Sequence, residues 1–498
     1  MAVTVVSARP PAANGKTGTD RHRRRRDPTI KAQLLNELRA AIGADAVATD
    51  PASLTAYAYD GTWAEQRPAV VLHPTTTEQV SAALRIADRE RIPIVPRGSA
   101  TGLAGGSVPL EGSICLNLAR MNRILSISAP DSIVITQSGV ITAALQKAVE
   151  AQGLFYPPDP ASLNMCTIGG NVSTNAGGPR CLKYGVTGDY VLGLEVVLPG
   201  GKVMRTGGRT IKNVSGYNLT QLIVGSEGTL GVVTEMTLQL IPKPIAQATA
   251  LAAFAKLPDA CEAVRKILSS GITPLVTEIM DHDVMRAIDS LIRSRRQTPT
   301  FSLDADALLL VAVDGDTDAV EKDIEVIADV LRKAGATSVQ RARSNEEAEA
   351  LWEIRRSVSP AIIRLGNSRF GEDIVVPRGQ IPQMVALVKQ IAKKYDLTIA
   401  VFGHIGDGNL HPNIVCDRRD AEMMKRVEAA SHAIFDAAIE LGGAISGEHG
   451  IGLLKTGYVP KSVDPVALEM MRQVKNLFDP NNIMNPGKKI GVRDAVTW

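Results

Sequence analysis

Two imidazoles stand seven residues apart, His404 and His411, in the stretch FGHIGDGNLHP at 402–412. A carboxylate and a third imidazole, Glu448 and His449, follow in SGEHGIG at 446–452. Two histidines and a carboxylate make a ligand set that suits divalent zinc, manganese or iron. Neighbouring side chains on extended backbone point apart, so Glu448 can ligate while His449 faces a substrate. Gly403, Gly406, Gly408 and Pro412 rule out a comfortable helix over the first stretch and predict a glycine loop. A single histidine in such a loop is ordinarily bonded to backbone, and Asp407 before Gly408 is ordinary turn chemistry. Three of the chain's seven histidines in two short glycine stretches point instead to one metal-assisted acid–base site.

What such a site acts on depends on the elements around it. Residues 28–60 carry a helical pattern with Ile30, Leu34, Leu35, Leu38 and Ile42 on one face. A strand, a helix capped at Thr77, a second strand and a glycine loop follow through residue 107. Further strands are expected near 114–118 and 132–138, then a helix over 141–152 stopped by Gly153. Past residue 247 glycine becomes sparse, and strands such as ALLLVAV (307–313) alternate with amphipathic helices in a second, α+β domain. A long helix spans about 419–441, and His432 on it reads as a surface or packing residue.

The loop PRGSATGLAGGS (96–107) concentrates four glycines and three hydroxyl residues after a strand. It is neither GxGxxG nor a P-loop, yet such a loop lets backbone N–H groups converge on an anion. Two more stretches share its small-residue character, PPDPASLNMCTIGGNVSTNAGGPRCLKYG (157–185) and GSEGTLGVVTEMTL (225–238). One glycine cluster is usually only a turn. Three within one region argue for a long ligand lying across the backbone, such as a dinucleotide.

The totals bound the rest. A chain of 498 residues, 45% apolar and 21% charged, has the composition of a globular protein of two or three domains. The formal charge of +3 gives no basis for nucleic-acid binding, and the run RHRRRR (21–26) reads as part of a solvated leader, 1–27. No apolar run approaches the roughly 18 residues of a spanning helix, so peripheral membrane docking is the only membrane role the sequence leaves open. The five cysteines, Cys115, Cys166, Cys181, Cys261 and Cys416, form no CxxC pair. That argues against an iron–sulfur or thiolate-zinc centre in this chain and suits a reducing, cytoplasmic setting.

Taken in order, PRGSATGLAGGS, PPDPAS, TIGGNVSTNAGG and GSEGTLGVVTE resemble the vanillyl-alcohol-oxidase and p-cresol-methylhydroxylase flavoproteins. The nearest branch is that of glycolate oxidase D subunits, D-lactate dehydrogenases and D-2-hydroxyglutarate dehydrogenases, and the likeness runs from about residue 50 to the C-terminus. It implies an α+β fold: a two-subdomain FAD-binding domain (28–245), a ferredoxin-like substrate cap (246–452) and a C-terminal segment (453–498) returning to the FAD domain. It further implies that Arg97, Gly98, Ser99, Ala100, Thr101, Gly102, Leu103, Gly105, Gly106 and Ser107 hold the FAD pyrophosphate. Pro158, Ser162, Thr167, Gly169, Gly170, Thr174, Asn175, Gly177, Glu227, Gly228 and Val233 are implied to line the remainder. Some relatives tether the flavin through a histidine in the phosphate loop. Here no histidine lies between His73 and His282, so non-covalent FAD is expected.

On the same resemblance, His404, His411 and Glu448 ligate the divalent metal and His449 is the base. Arg355 grips a substrate carboxylate, Asn413 touches substrate, and Ser359 stands where relatives place a small hydroxyl residue. The implied reaction is oxidation of a small D-2-hydroxy acid by hydride transfer to the flavin. Dehydrogenases of D-2-hydroxyglutarate carry a lysine just before the segment matching EDIVVP, where this chain has Phe370, Gly371 and Glu372. An acid there is expected to repel a second carboxylate, which favours glycolate or D-lactate. The electron acceptor is left open by the sequence. An iron–sulfur partner subunit, as in glycolate oxidase, and a flavin-carrying role in a larger redox complex are the alternatives the resemblance carries. A metal hydrolase would use the same ligands but would leave the dinucleotide cradle unexplained.

Overall fold

The computed structural model describes residues 30–295 and 302–491; the arginine run at 21–26 lies outside them. The first helix, Ala32–Ile42, buries Leu34, Leu38 and Ile42 against the helix Thr77–Glu90. The helical pattern expected through residue 60 is broken by Gly43, whose φ of 95° no helix accommodates, and resumes only over Pro51–Ala56. Thr76, not Thr77, caps the helix Thr77–Glu90, accepting from the Gln79 N–H at 3.3 Å. The Thr77 hydroxyl is spent on Glu195, 2.7 Å away.

Val47–Ala48, Val70–Leu72, Ile114–Asn117 and Ile94–Arg97 lie side by side in that order, the last three parallel. A second, antiparallel sheet runs Ile124–Ser128, Ile133–Gln137, Val232–Gln239, Val191–Val197, Val203–Gly207. Helices Thr142–Glu150 and Ile168–Thr174 contribute Leu145, Val149, Ile168 and Val172 to the core of the second sheet. The glycine loops issue from these strands and helix ends into the space between the two sheets.

The third sheet is antiparallel throughout and eight-stranded. Its spatial order is Ala336–Arg341, Ala246–Phe254, Ala307–Gly315, Val276–Asp281, Thr398–His404, Asn409–Cys416, Ser368–Gly371, with Ile374–Val375 also paired to Asn409–Cys416. Helices Leu257–Ser269, Thr317–Lys333, Ile381–Lys394 and Ala421–Glu440 cover one face. The other face is partly covered by His282–Ser294, Asn345–Arg356 and Val358–Ile363. Burial on both faces explains why Ala307–Val313 is apolar without alternation.

One expectation fails here. The stretch 402–412 is not a glycine loop but the turn of a hairpin, with Phe402 opposite His411 and His404 opposite Asn409. Only residues 405–408 form the turn, where Gly408 has a φ of 90°. The neighbouring strands supply the hydrogen bonds that local propensity cannot see. Pro412 is tolerated because its carbonyl accepts the Glu372 N–H at 2.8 Å while its ring nitrogen owes no bond.

After the helix Pro465–Phe478 the chain returns to the first sheet. Ile94 N–H donates to Ile483 O at 2.7 Å, and Asn485 N–H to Ile94 O at 2.8 Å. The Asn485 amide donates to Gly106 O and Glu227 O, 2.9 and 2.8 Å away, tying two glycine loops together. Among the described residues no helix is long and apolar enough to cross a membrane.

Candidate active site

A groove opens between the two N-terminal sheets, lined by all three glycine stretches. Its lining by three loops far apart in sequence suits a long ligand such as a dinucleotide. Of the cofactor residues expected from sequence, all but Gly105, Pro158 and Asn175 line it. These three act from behind. Gly105, at a φ of 76°, lets the loop pack on Leu453. Pro158 offers its carbonyl to Gln146 at 2.9 Å, and Asn175 ends the helix Ile168–Thr174 in a left-handed turn and accepts from Gly188 N–H at 2.8 Å.

The residues fit an FAD cradle. From Ser99 to Gly106 no backbone N–H finds a protein acceptor among the described residues, and all of these residues but Gly105 line the groove, leaving the donors for a ligand. The cradle tolerates no side chain at its closest approach, since a Cβ on Gly98 would stand 2.2 Å from the Thr167 hydroxyl. Arg97 is buried, with Nη1 bonded to Tyr59 O at 2.6 Å and its guanidinium over the Tyr57 ring at 5.2 Å, so it fixes the loop's root. Released FAD on denaturation is expected, because no histidine lines the groove except His449. Filtering an acid- or heat-denatured sample checks this: the yellow colour should pass the membrane, and colour retained on the protein would mean a covalent bond.

The same groove is walled at one end by Glu448 and His449, which brings the second-half residues to the dinucleotide cradle. Glu448 Oε1 stands 3.5 Å from both His404 Nε2 and His411 Nε2, and the three ligand atoms lie within 4.8 Å of one another. His411 packs between Phe402 and His449, with ring centroids 5.3 Å away on each side. Burial pushes the His411 imidazole down to about 3, so it presents a lone pair. Burial opposes charge on Glu448 too, but His404 outweighs it and lowers its pKa. The buried His411 Nδ1 and His449 Nδ1 have no hydrogen-bond partner in the protein. This donor set fits a divalent cation.

Two acids that sequence reading passed over organise the site. Glu278, fully buried on Val276–Asp281, is hydrogen-bonded to His404 Nδ1 and sits 2.5 Å from Arg355 Nε. Burial would raise its pKa, but Arg355 and His404 outweigh that and hold it at about 2. Burial likewise disfavours charge on His404, yet Glu278 keeps that imidazole well above its ordinary range. Asp373, also fully buried, accepts at Oδ2 from Ser446 Oγ and the N–H groups of Gly447, Glu448 and His449, 2.7 to 3.1 Å away. Its Oδ1 takes the Asn409 amide at 2.7 Å, so one carboxylate sets the whole 446–449 turn. The signal for both was an acid in or at the start of an apolar run, PLVTEIMD and EDIVVP.

Glu227 does a similar job across the groove. Its carboxylate takes Ile451 N–H at 2.9 Å and Gly452 N–H at 2.6 Å, with Lys489 Nζ at 3.1 Å. Although it lines the groove, its oxygens are engaged in holding the C-terminal loops.

The expected substrate residues are placed unevenly. Arg355 lies over Phe402, 4.8 Å from the ring centroid, beside the triad. Asn413 is buried on the same strand as His411, its amide donating to His411 O at 2.8 Å. Ser359 sits half-buried on Val358–Ile363, and among the described residues no hydrogen bond joins it to the others. The expectation for Glu372 is overturned. That side chain is 4% exposed and lies on the far side of the sheet, against Lys455, where burial raises its pKa. It cannot repel a substrate at the triad.

A dinucleotide cradle joined to an acid–base cluster defines an FAD-dependent oxidoreductase. Solved structures share the architecture: p-cresol methylhydroxylase with a TM-score of 0.77 at 22% identity, covering 92% of this chain and 96% of that one. The 4-ethylphenol oxidase of Gulosibacter chungangensis gives 0.75 at 22%, covering 93% and 97%. Models of the FAD binding domain and of the FAD linked oxidases, C-terminal domain, match residues 68–207 and 243–489. The chain is 46% identical over 433 residues to the glycolate oxidase subunit GlcD of Bacillus subtilis, covering 87% of this chain and 91% of that protein. It is 37% identical to a D-lactate dehydrogenase of Anaerostipes hadrus, covering 86% and 90%. The chain therefore belongs to the FAD-linked oxidases.

Proposed function

We propose that this enzyme oxidises a small D-2-hydroxy acid, glycolate or D-lactate first, to the 2-oxo acid. The observation that carries this is the junction of the cradle with Glu448 and His449 in one groove. The relatives named above support the substrate class. With Glu372 turned away, a 2-hydroxy dicarboxylate is no longer disfavoured, and a D-2-hydroxyglutarate dehydrogenase of Stutzerimonas stutzeri is 32% identical over 463 residues.

FAD would supply a two-electron acceptor for the C2 hydride, and a divalent ion would supply a Lewis acid that lowers the hydroxyl pKa. His404, His411 and Glu448 would hold that ion, with Glu278 fixing the His404 ring through Nδ1 in a carboxylate–histidine pair. His449 takes the hydroxyl proton at Nε2, since Nδ1 is enclosed without a hydrogen-bond partner. The unpaired backbone N–H groups of 99–106 would hold the pyrophosphate. Arg355 and Asn413 border the substrate and hold C2 in line. The electron acceptor would lie outside this chain, and a partner subunit is one arrangement supported by the relative in Bacillus subtilis, which is named as a subunit of glycolate oxidase.

The experiment is anaerobic mixing of FAD- and metal-loaded protein with glycolate, D-lactate, L-lactate and D-2-hydroxyglutarate, following flavin absorbance. Bleaching by glycolate or a D-acid, lost after chelation and regained with metal, is the expected result. Full bleaching in the chelated protein would remove the metal from the mechanism.

A further inference from the structure

Among the cationic side chains near the triad, one has no counter-ion. Arg369 lies on the edge strand Ser368–Gly371, and its Nη1 donates to Asn413 Oδ1 at 2.7 Å. Asn413 is 1% exposed, and its other amide atom is tied to His411 O, so that oxygen holds the guanidinium in a fixed place. Gly371, paired with Asn413 across the strands, leaves the needed room: a Cβ there would stand 3.0 Å from Asn413 Oδ1. Arg355, by contrast, is already opposed by Glu278 at 2.5 Å. Among the described residues no carboxylate lies within ion-pair distance of Arg369. Burial alone acts on its pKa, in the downward direction. The neighbouring acid, Glu372, faces the opposite side of the sheet.

The Arg369 guanidinium is half-buried and so partly stripped of water, and a ligand carboxylate would supply the anion it lacks in the protein. Its remaining N–H groups offer the planar fork that matches a carboxylate. Asn413 and the triad residue His411 are two apart on one strand face, a separation of about 6.6 Å along the strand. A short hydroxy acid bridges that distance. We propose that Arg369, positioned by Asn413, is a second carboxylate-binding residue of the substrate site, beside Arg355. This rests on the 2-hydroxy acid reading above.

The test compares the unaltered holoenzyme with Arg369→Met and Arg369→Lys, each loaded with FAD and metal. Oxalate, which cannot be oxidised here, is titrated by the change in flavin absorbance, and KM and kcat are measured with the acid that bleaches the flavin. Arg369→Met is expected to weaken oxalate binding and raise KM by about 30-fold or more, with kcat changed less than about 3-fold. Arg369→Lys should recover most of both. Unchanged oxalate affinity and KM would overturn the proposal. So would loss of FAD content or thermal stability in both variants alike, which marks a structural role, or failure of the unaltered holoenzyme to bind oxalate. If it binds oxalate yet oxidises no 2-hydroxy acid, the reaction assigned above fails while the oxalate arm still decides for Arg369.

Discussion

Replacing His449 by alanine is expected to slow substrate-driven flavin reduction by about 10²–10⁴-fold, the usual worth of a positioned general base. The FAD cradle should survive the change, because the Asp373 carboxylate holds the 446–449 turn through backbone N–H groups rather than through the imidazole. Glu448 keeps its place on the same grounds, so metal content should stay near one ion per chain. Removing the imidazole does unstack it from His411, but Phe402 still packs on that ring from its other side. Stopped-flow reduction alongside flavin and metal content checks both halves. Near-normal reduction in this variant would show the base misassigned, and loss of FAD or metal would show that the imidazole holds the site together.

The second large effect is expected at Glu278, a residue with no place in the substrate's path. Glu278→Gln keeps the shape but removes the negative charge shared by His404 and Arg355. Breaking a buried ion pair from one side typically costs about 3–5 kcal/mol, and losing the partner of a ligating histidine costs about 10–100-fold in metal affinity. Chemical denaturation and a metal titration read the two effects separately. The sign with pH is fixed by the direction of the shift. The folded carboxyl is depressed from 4.5 to about 2. Its stabilisation is therefore complete above about 4.5 and disappears as pH falls towards 2. The variant should lack that part of the acid-induced loss. A variant as stable and as metal-avid as the parent would show that the charge is immaterial.

Much of the cradle could be read before any coordinates. Glycine stretches act locally, their freedom of backbone and lack of side chains being properties of the residues themselves, so PRGSATGLAGGS and TIGGNVSTNAGG announce a surface for a long anionic ligand. The triad was legible for a similar reason: imidazoles and a carboxylate concentrated in two short stretches leave few alternatives. Secondary structure was less faithful where pairing decided it. His404 and His411 sit on hairpin strands because Val276–Asp281 and Ser368–Gly371 flank them, which no pattern within 402–412 expresses.

Which way a side chain faces was beyond the sequence. Glu372 and Arg369 lie three residues apart on one short stretch, yet the sheet sends the first to a core and the second to Asn413, two residues from His411 on the neighbouring strand. The apparent repelling acid and the cation without a counter-ion thus exchanged significance once the strand's register on Asn409–Cys416 was known. Glu278 and Asp373 are the same case, acids whose value comes from partners 77 to 126 residues away or from a turn 73 to 76 residues on. Sequence alone pointed to a dinucleotide cradle, which the resemblance narrowed to FAD, and to a candidate ligand set, since both follow from residue types and local backbone freedom. Only the tertiary structure decided which charges oppose one another, because that depends on strand register and on which groups share a desolvated face.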